Sequence, residues 1–139
     1  MYITLETDYG VRIMLLLAQQ ENKLHAQAIA DGAGIPKRFT LKILKKLKDG
    51  GLLNSYIGKN GGYVLSRSAE NITLCEIIEI LEGEYMFSRC LQDGHECSYE
   101  TAEIKENCVN ANCNTRDIFS DITKTVRNKL MNTTLKQLI

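Results

Sequence analysis

Residues 31–48 read Asp31-Gly32-Ala33-Gly34-Ile35-Pro36-Lys37-Arg38-Phe39-Thr40-Leu41-Lys42-Ile43-Leu44-Lys45-Lys46-Leu47-Lys48. The first four of these residues supply a turn, because glycines tolerate the positive φ that a tight helix–helix corner needs. Pro36 suits the first turn of a new helix, where its missing N–H is not required. Ile43, Leu44 and Leu47 form an inward stripe on that helix, which runs to Lys48. Arg38, Lys42 and Lys45 share its outward face, at spacings of four and three.

Working outward, residues 25–30 read as a helix with Ala26, Ile29 and Ala30 inward. Residues 4–20 read as another, with Val11, Met14, Leu15 and Ala18 at helical spacing and Thr7 or Asp8 as caps. On the other side Gly50-Gly51 ends the basic helix. Residues 52–57 and 63–66 read as two short strands joined by Gly58-Lys59-Asn60-Gly61-Gly62, with Asn-Gly as the turn signal. Helix, helix–turn–helix, then β-hairpin is the order of a winged helix–turn–helix. The expected fold is mainly α with a small β-hairpin wing. In this arrangement the second helix of the turn enters the major groove of DNA, and the wing touches the duplex nearby.

Beyond the hairpin, Thr73 caps a further helix and Glu76 completes a capping box. Leu74, Ile77, Ile78 and Leu81 form its apolar face, and Gly83 closes it. Residues 84–114 show no period and hold four of the five cysteines. A last helix is expected over 115–138, with Ile118, Ile122, Val126, Leu130 and Leu135 on one buried face.

The chain has 139 residues and a formal net charge of zero, which argues against nucleic-acid binding by bulk charge. The total hides an asymmetry. Residues 37–67 carry eight bases and one acid, Asp49, whereas residues 68–106 carry ten acids and two bases. The basic run falls on the second helix of the turn and its wing, which suggests a face for a polyanion. No stretch approaches the about 18 apolar residues of a membrane span. Residues 1–6 lack the basic start and apolar run of a secretory signal, so a cytoplasmic protein with no membrane partner is expected. No nucleophile–base pair and no phosphate loop is visible, so no enzyme is expected.

In a reducing compartment cysteines serve as metal ligands or redox thiols more often than in disulfides. Cys90, Cys97, Cys108 and Cys113 lie within 24 residues, with gaps of six, ten and four residues. None of these is the close pairing usual in structural zinc sites. Soft thiolates on an irregular loop fit an iron–sulfur cluster better than one tetrahedral ion; zinc and plain reduced thiols are the other readings. His95, between two of the cysteines, is either a ligand or an exposed loop residue. Cys75 reads as a small core residue.

With these motifs in place, the sequence resembles the bacterial winged-helix iron–sulfur transcriptional regulators, the family that includes IscR, NsrR and RirA. The resemblance lies in Ile3-Thr4-Leu5-Glu6-Thr7-Asp8-Tyr9-Gly10-Val11-Arg12, in residues 30–47, in Gly58-Lys59-Asn60-Gly61-Gly62-Tyr63-Val64-Leu65, in residues 72–83 and in Cys113-Asn114-Thr115-Arg116-Asp117-Ile118-Phe119. It implies a homodimeric transcriptional regulator, a repressor, bound to a roughly palindromic double-stranded operator. Its parts would be a winged helix–turn–helix domain over 1–83, a cluster-binding loop over 84–114 and a dimerisation helix over 115–139.

By the same resemblance, groove contacts fall on Pro36, Arg38, Phe39 and Lys42, beside Lys45 of the basic stripe, and Lys48 and Lys59 touch the DNA backbone or minor groove. Many members carry an arginine just before the wing's first glycine, where this chain has Ile57. Family cysteines match Cys90, Cys97 and Cys113, which would hold a 2Fe–2S or 4Fe–4S cluster sensing iron, redox state or nitric oxide. Cys108 sits in an insertion, as fourth ligand, as a replacement for Cys113 or as a bystander. Asp8 matches an aspartate of the nitric-oxide sensors that reaches the partner's cluster, or is a plain helix cap. The alternative is a cluster-free repressor of the cysteine-metabolism type, working through a partner protein or thiol redox change.

Overall fold

Leu5 follows a threonine whose hydroxyl accepts the Thr7 amide at 3.3 Å, and this cap starts the first helix, α1, Leu5–Ala18. The structure is a computed structural model that describes residues 3–95 and 113–139. Cys97 and Cys108 lie outside the described residues. The cap is therefore Thr4, not Thr7 or Asp8, and Thr7 is instead fully buried. The buried line of α1 runs through Thr7, Gly10, Ile13, Met14 and Leu17. Of the expected stripe only Met14 is buried; Val11, Leu15 and Ala18 are half-buried. The offset arises at Gly10, where a Cβ would collide with Leu81. The missing side chain lets the helices approach there, so the face turns toward a residue that hydrophobicity does not mark.

Helix α2, Ala26–Ala33, ends at Gly34, whose φ of 69° is the left-handed conformation glycine tolerates. The corner is thus Gly34-Ile35-Pro36, and Asp31, Gly32 and Ala33 are helical. The Ile35 amide then reaches back to the Ala30 carbonyl at 2.9 Å, and Ile35 is buried. Helix α3, Lys37–Asp49, follows with Pro36 at its N-cap and buries Thr40, Ile43, Leu44 and Leu47. Strands β1, Leu53–Tyr56, and β2, Gly62–Leu65, pair antiparallel with Leu53 opposite Leu65 and Tyr56 opposite Gly62. Leu24 and Tyr63 exchange backbone bonds of 3.1 and 2.8 Å, which fasten the hairpin to the segment before α2. Helix α4, Leu74–Glu82, carries the expected capping box between Thr73 and Glu76 and buries Cys75, Ile77, Ile78 and Leu81. Leu74, expected on that face, is half-buried.

Helix α5, Asn114–Met131, is shorter than the expected 115–138. The chain leaves the helix at Asn132-Thr133-Thr134, residues that favour caps and turns. Thr134 and Gln137 then form a second capping box over the 3₁₀ turn Leu135–Leu138. This exit places Leu135 in the core with 0% exposure, and its amide bonds the Ile72 carbonyl at 2.9 Å. The described architecture is mainly α with one two-stranded hairpin, as expected. Residues 1–84 and 130–139 form one compact unit, and residues 85–129 form a second. No helix among the described residues is long and apolar enough to cross a membrane.

Candidate functional site

The exposed face of α3 follows from its buried one. With Thr40, Ile43, Leu44 and Leu47 inward, the helical period turns Arg38, Lys42, Lys45 and Lys48 to solvent. Phe39 joins them with 39% exposure. The Arg38 guanidinium lies 4.7 Å from the Phe39 ring centroid, and Tyr9 of α1 meets the same ring at 6.3 Å. Pro36 is exposed at the start of the helix. In the wing, Ile57, Gly58, Lys59 and Asn60 are exposed, with Ile57 fully so. The Lys23 ammonium sits 4.5 Å from the neighbouring Tyr56 ring.

Two of the α3 lysines meet an acid from another helix. Lys42 Nζ lies 3.3 Å from Glu6 Oε2, and Lys46 Nζ lies 2.9 Å from Glu6 Oε1. Lys45 pairs with Asp49 of its own helix at 2.6 Å. The Lys46 ammonium beside Oε1 holds the Glu6 carboxyl below its ordinary value, against partial burial, and Lys42 adds to the effect. The hydrogen bond from Lys45 does the same for Asp49.

The described cysteines of the loop belong to the second unit. Cys90 lies in the 3₁₀ turn Arg89–Leu91, half-buried, with its amide donating to the Ser88 hydroxyl at 3.4 Å. Cys113 immediately precedes α5, half-buried, and its carbonyl accepts the Asp117 amide at 3.0 Å. Both are free thiols. The Phe87 amide donates to the Thr123 hydroxyl at 3.0 Å, and the Phe87 and Phe119 rings lie 5.1 Å apart. The approach to Cys90 is thereby fastened to the helix that Cys113 opens. As donors these two soft thiols suit an iron–sulfur cluster, although they do not complete a ligand set. Among the described residues no three His, Cys, Asp or Glu side chains are gathered as for a metal ion. His95 is exposed. Asp8 pairs with Arg12 at 2.8 Å in the first unit and is not the cap of α1. Cys75 is buried, as expected.

Helix α5 has no buried residue. Ile118 is 59% exposed, Ile122, Val126 and Leu130 are half-buried, and of the expected apolar face only Leu135, beyond the helix, is buried.

A family model described as Rrf2, iron-dependent transcriptional regulator, matches residues 3–139. The chain belongs to the Rrf2 family. Protein aau3 of Rhizobium meliloti is 34% identical over 95 residues, which span 68% of this chain and 62% of that protein. The structure of CymR, the global cysteine regulator of B. subtilis, superposes with a TM-score of 0.73 at 26% identity, covering 99% of this chain and 95% of that one. T. potens IscR gives a TM-score of 0.74 at 24% identity, over 99% and 85% of the two chains, a likeness that shows the fold alone. The resemblance drawn from the sequence therefore stands. As an Rrf2 protein the chain is a DNA-binding transcriptional regulator and not an enzyme. Within the Rrf2 chain, the residue that sequence reasoning passed over is Glu6. Its only local signal is an acid in a helix's first turn, which reads as a favourable dipole contact.

Proposed function

We propose that this Rrf2 chain acts as a homodimer whose operator binding is governed by an iron–sulfur cluster. Cys90, Cys97 and Cys113 would hold the cluster, with Cys108 or Asp8 completing the set. The carrying observation is that the partly exposed thiol of Cys113 immediately precedes α5, and Phe87, three residues before the partly exposed Cys90, is held to α5 through Thr123, while α5 buries none of its own residues. On this reading residues 1–83 bind DNA, residues 84–114 hold the cluster and residues 115–139 pair the protomers. A bound cluster supplies a centre that iron shortage, oxidants or nitric oxide remove or alter.

The protein's own residues do the rest. Pro36, Arg38, Phe39, Lys42 and Lys45 face the major groove, and Lys48 and Lys59 meet phosphates. Two α3 helices read half-sites about 34 Å apart, so a change in the segment entering α5 alters whether both engage. A cluster shifts affinity only by its differential stabilisation of the competent dimer.

A second reading is a cluster-free regulator in which the thiols change oxidation state or a partner protein is bound. The likeness to a cysteine regulator over 99% of this chain favours it. One experiment separates the two. Anaerobically isolated protein selects its sites from a random duplex pool, and affinity is measured for Cys90→Ala, Cys97→Ala and Cys113→Ala. The cluster reading predicts a change of about 5- to 150-fold, the usual range of allosteric coupling. No effect from any of the three favours the cluster-free reading.

A further inference from the structure

We propose that Glu6 is a specificity-determining residue, holding Lys42 back from indiscriminate contact with DNA phosphates. The inference rests on the DNA-binding reading of α3. Glu6 sits in the first turn of α1, and its two carboxylate oxygens meet two lysines one turn apart on α3, Lys42 at 3.3 Å and Lys46 at 2.9 Å. The two lysines are not equivalent. The Lys46 side chain is 38% exposed and also donates to the Leu81 carbonyl at 3.5 Å, near the end of α4. The Lys42 side chain is 61% exposed, and among the described residues its polar partner is Glu6.

Lys46 is therefore the more enclosed partner, an ion pair also tied to α4, and Lys42 is the more exposed lysine, able to leave. When Lys42 leaves, Glu6 keeps a counter-charge, so no uncompensated carboxylate is stranded between the helices. The position of Glu6 is itself held, because the Thr4 amide and hydroxyl, two residues before it, donate to Glu82 at 2.8 and 2.9 Å. Lys45 differs, since its acid lies on its own helix and travels with it.

A lone phosphate exchanges one carboxylate-like partner for another and gains Lys42 little. A base edge or a well-placed phosphate pair offers more than Glu6 does. The carboxylate thus lowers affinity for arbitrary duplex more than for a cognate site. Removing it frees one cation per protomer for any phosphate. The salt dependence of binding then steepens by about 0.9 in log–log slope for each added contact.

The test uses the full chain and a random-sequence duplex of roughly 30 base pairs, about three helical turns. Affinity is titrated between about 50 and 200 mM salt. Glu6→Gln is expected to bind about two- to five-fold more tightly per protomer at low salt, the worth of one exposed ion pair. In a Lys42→Met background the same change is expected to do nothing. Glu70→Gln removes one charge outside the cluster and is expected to leave binding unchanged. If Glu6→Gln does not fold, Glu6→Asp, with too short a reach to span both lysines, takes its place with the same expectations. Equal affinities for Glu6→Gln and the parent overturn the inference. So does an equal gain in the Lys42→Met background, or an equal gain from Glu70→Gln. A parent chain that binds no duplex at the lowest salt overturns the DNA reading itself.

Discussion

Replacing Lys42 by glutamate reverses one charge on the exposed face of α3 and sets a second carboxylate against Glu6, which lies 3.3 Å from the lysine ammonium. The side chain is 61% exposed, so stability should move by no more than about 0.5 kcal/mol. Binding to a selected duplex should fall by about 10- to 100-fold, the cost of losing a groove contact, with the sedimentation of the protein unchanged. Unchanged affinity at physiological salt would contradict α3 as the recognition helix. At this scale the sequence was informative wherever a residue's environment follows from its own helix. Arg38, Lys42 and Lys45 face solvent because their neighbours at helical spacing are apolar. Glu6 was not legible, because its pairing with Lys42 spans 36 residues of chain and exists only once α1 and α3 pack.

Helix α4 shows an element whose limits were legible. Thr73 and Glu76 cap one end and Gly83 the other, and each acts locally. Burial opposes ionisation of Glu76, but hydrogen bonds from the Thr73 amide and hydroxyl, with the charge of Arg67, outweigh it and hold the carboxyl below its ordinary 4.5. A depressed carboxyl contributes stability that is full above the unfolded value and lost as pH falls through the folded one. The parent chain should therefore lose stability below about pH 4.5, and Glu76→Gln should flatten that part of the profile. Denaturant midpoints across pH 3–6 measure this, and identical acid limbs would refute it. Helices α1 and α5 were less legible for non-local reasons. The face of α1 is set by close approach at Gly10, and α5 stops at Met131 because the chain must return Leu135 to the core.

On the scale of the whole molecule, the zero net charge is a cancellation between the basic face of α3 with its wing and the acidic stretch that follows. Fold and family were legible because short-range signals, a glycine corner, a hairpin turn and a capping box, succeed one another in the order the fold requires. The apolar stripe of α5 was legible too, and its partial exposure is what the dimer proposal rests on. If α5 pairs the protomers, Ile118→Asp should convert a dimer to a monomer in sedimentation and abolish simultaneous half-site contact. A dimer that survives the substitution would place the interface elsewhere. The cluster proposal depends on Cys97 as well as on Cys90 and Cys113, so it is tested on the intact chain. Iron and acid-labile sulfide are counted per chain in protein isolated without oxygen, alongside its visible absorption. The account predicts a coloured protein with about two or four of each per chain, matching one 2Fe–2S or 4Fe–4S cluster. A colourless protein that holds neither iron nor sulfide after reconstitution would contradict it.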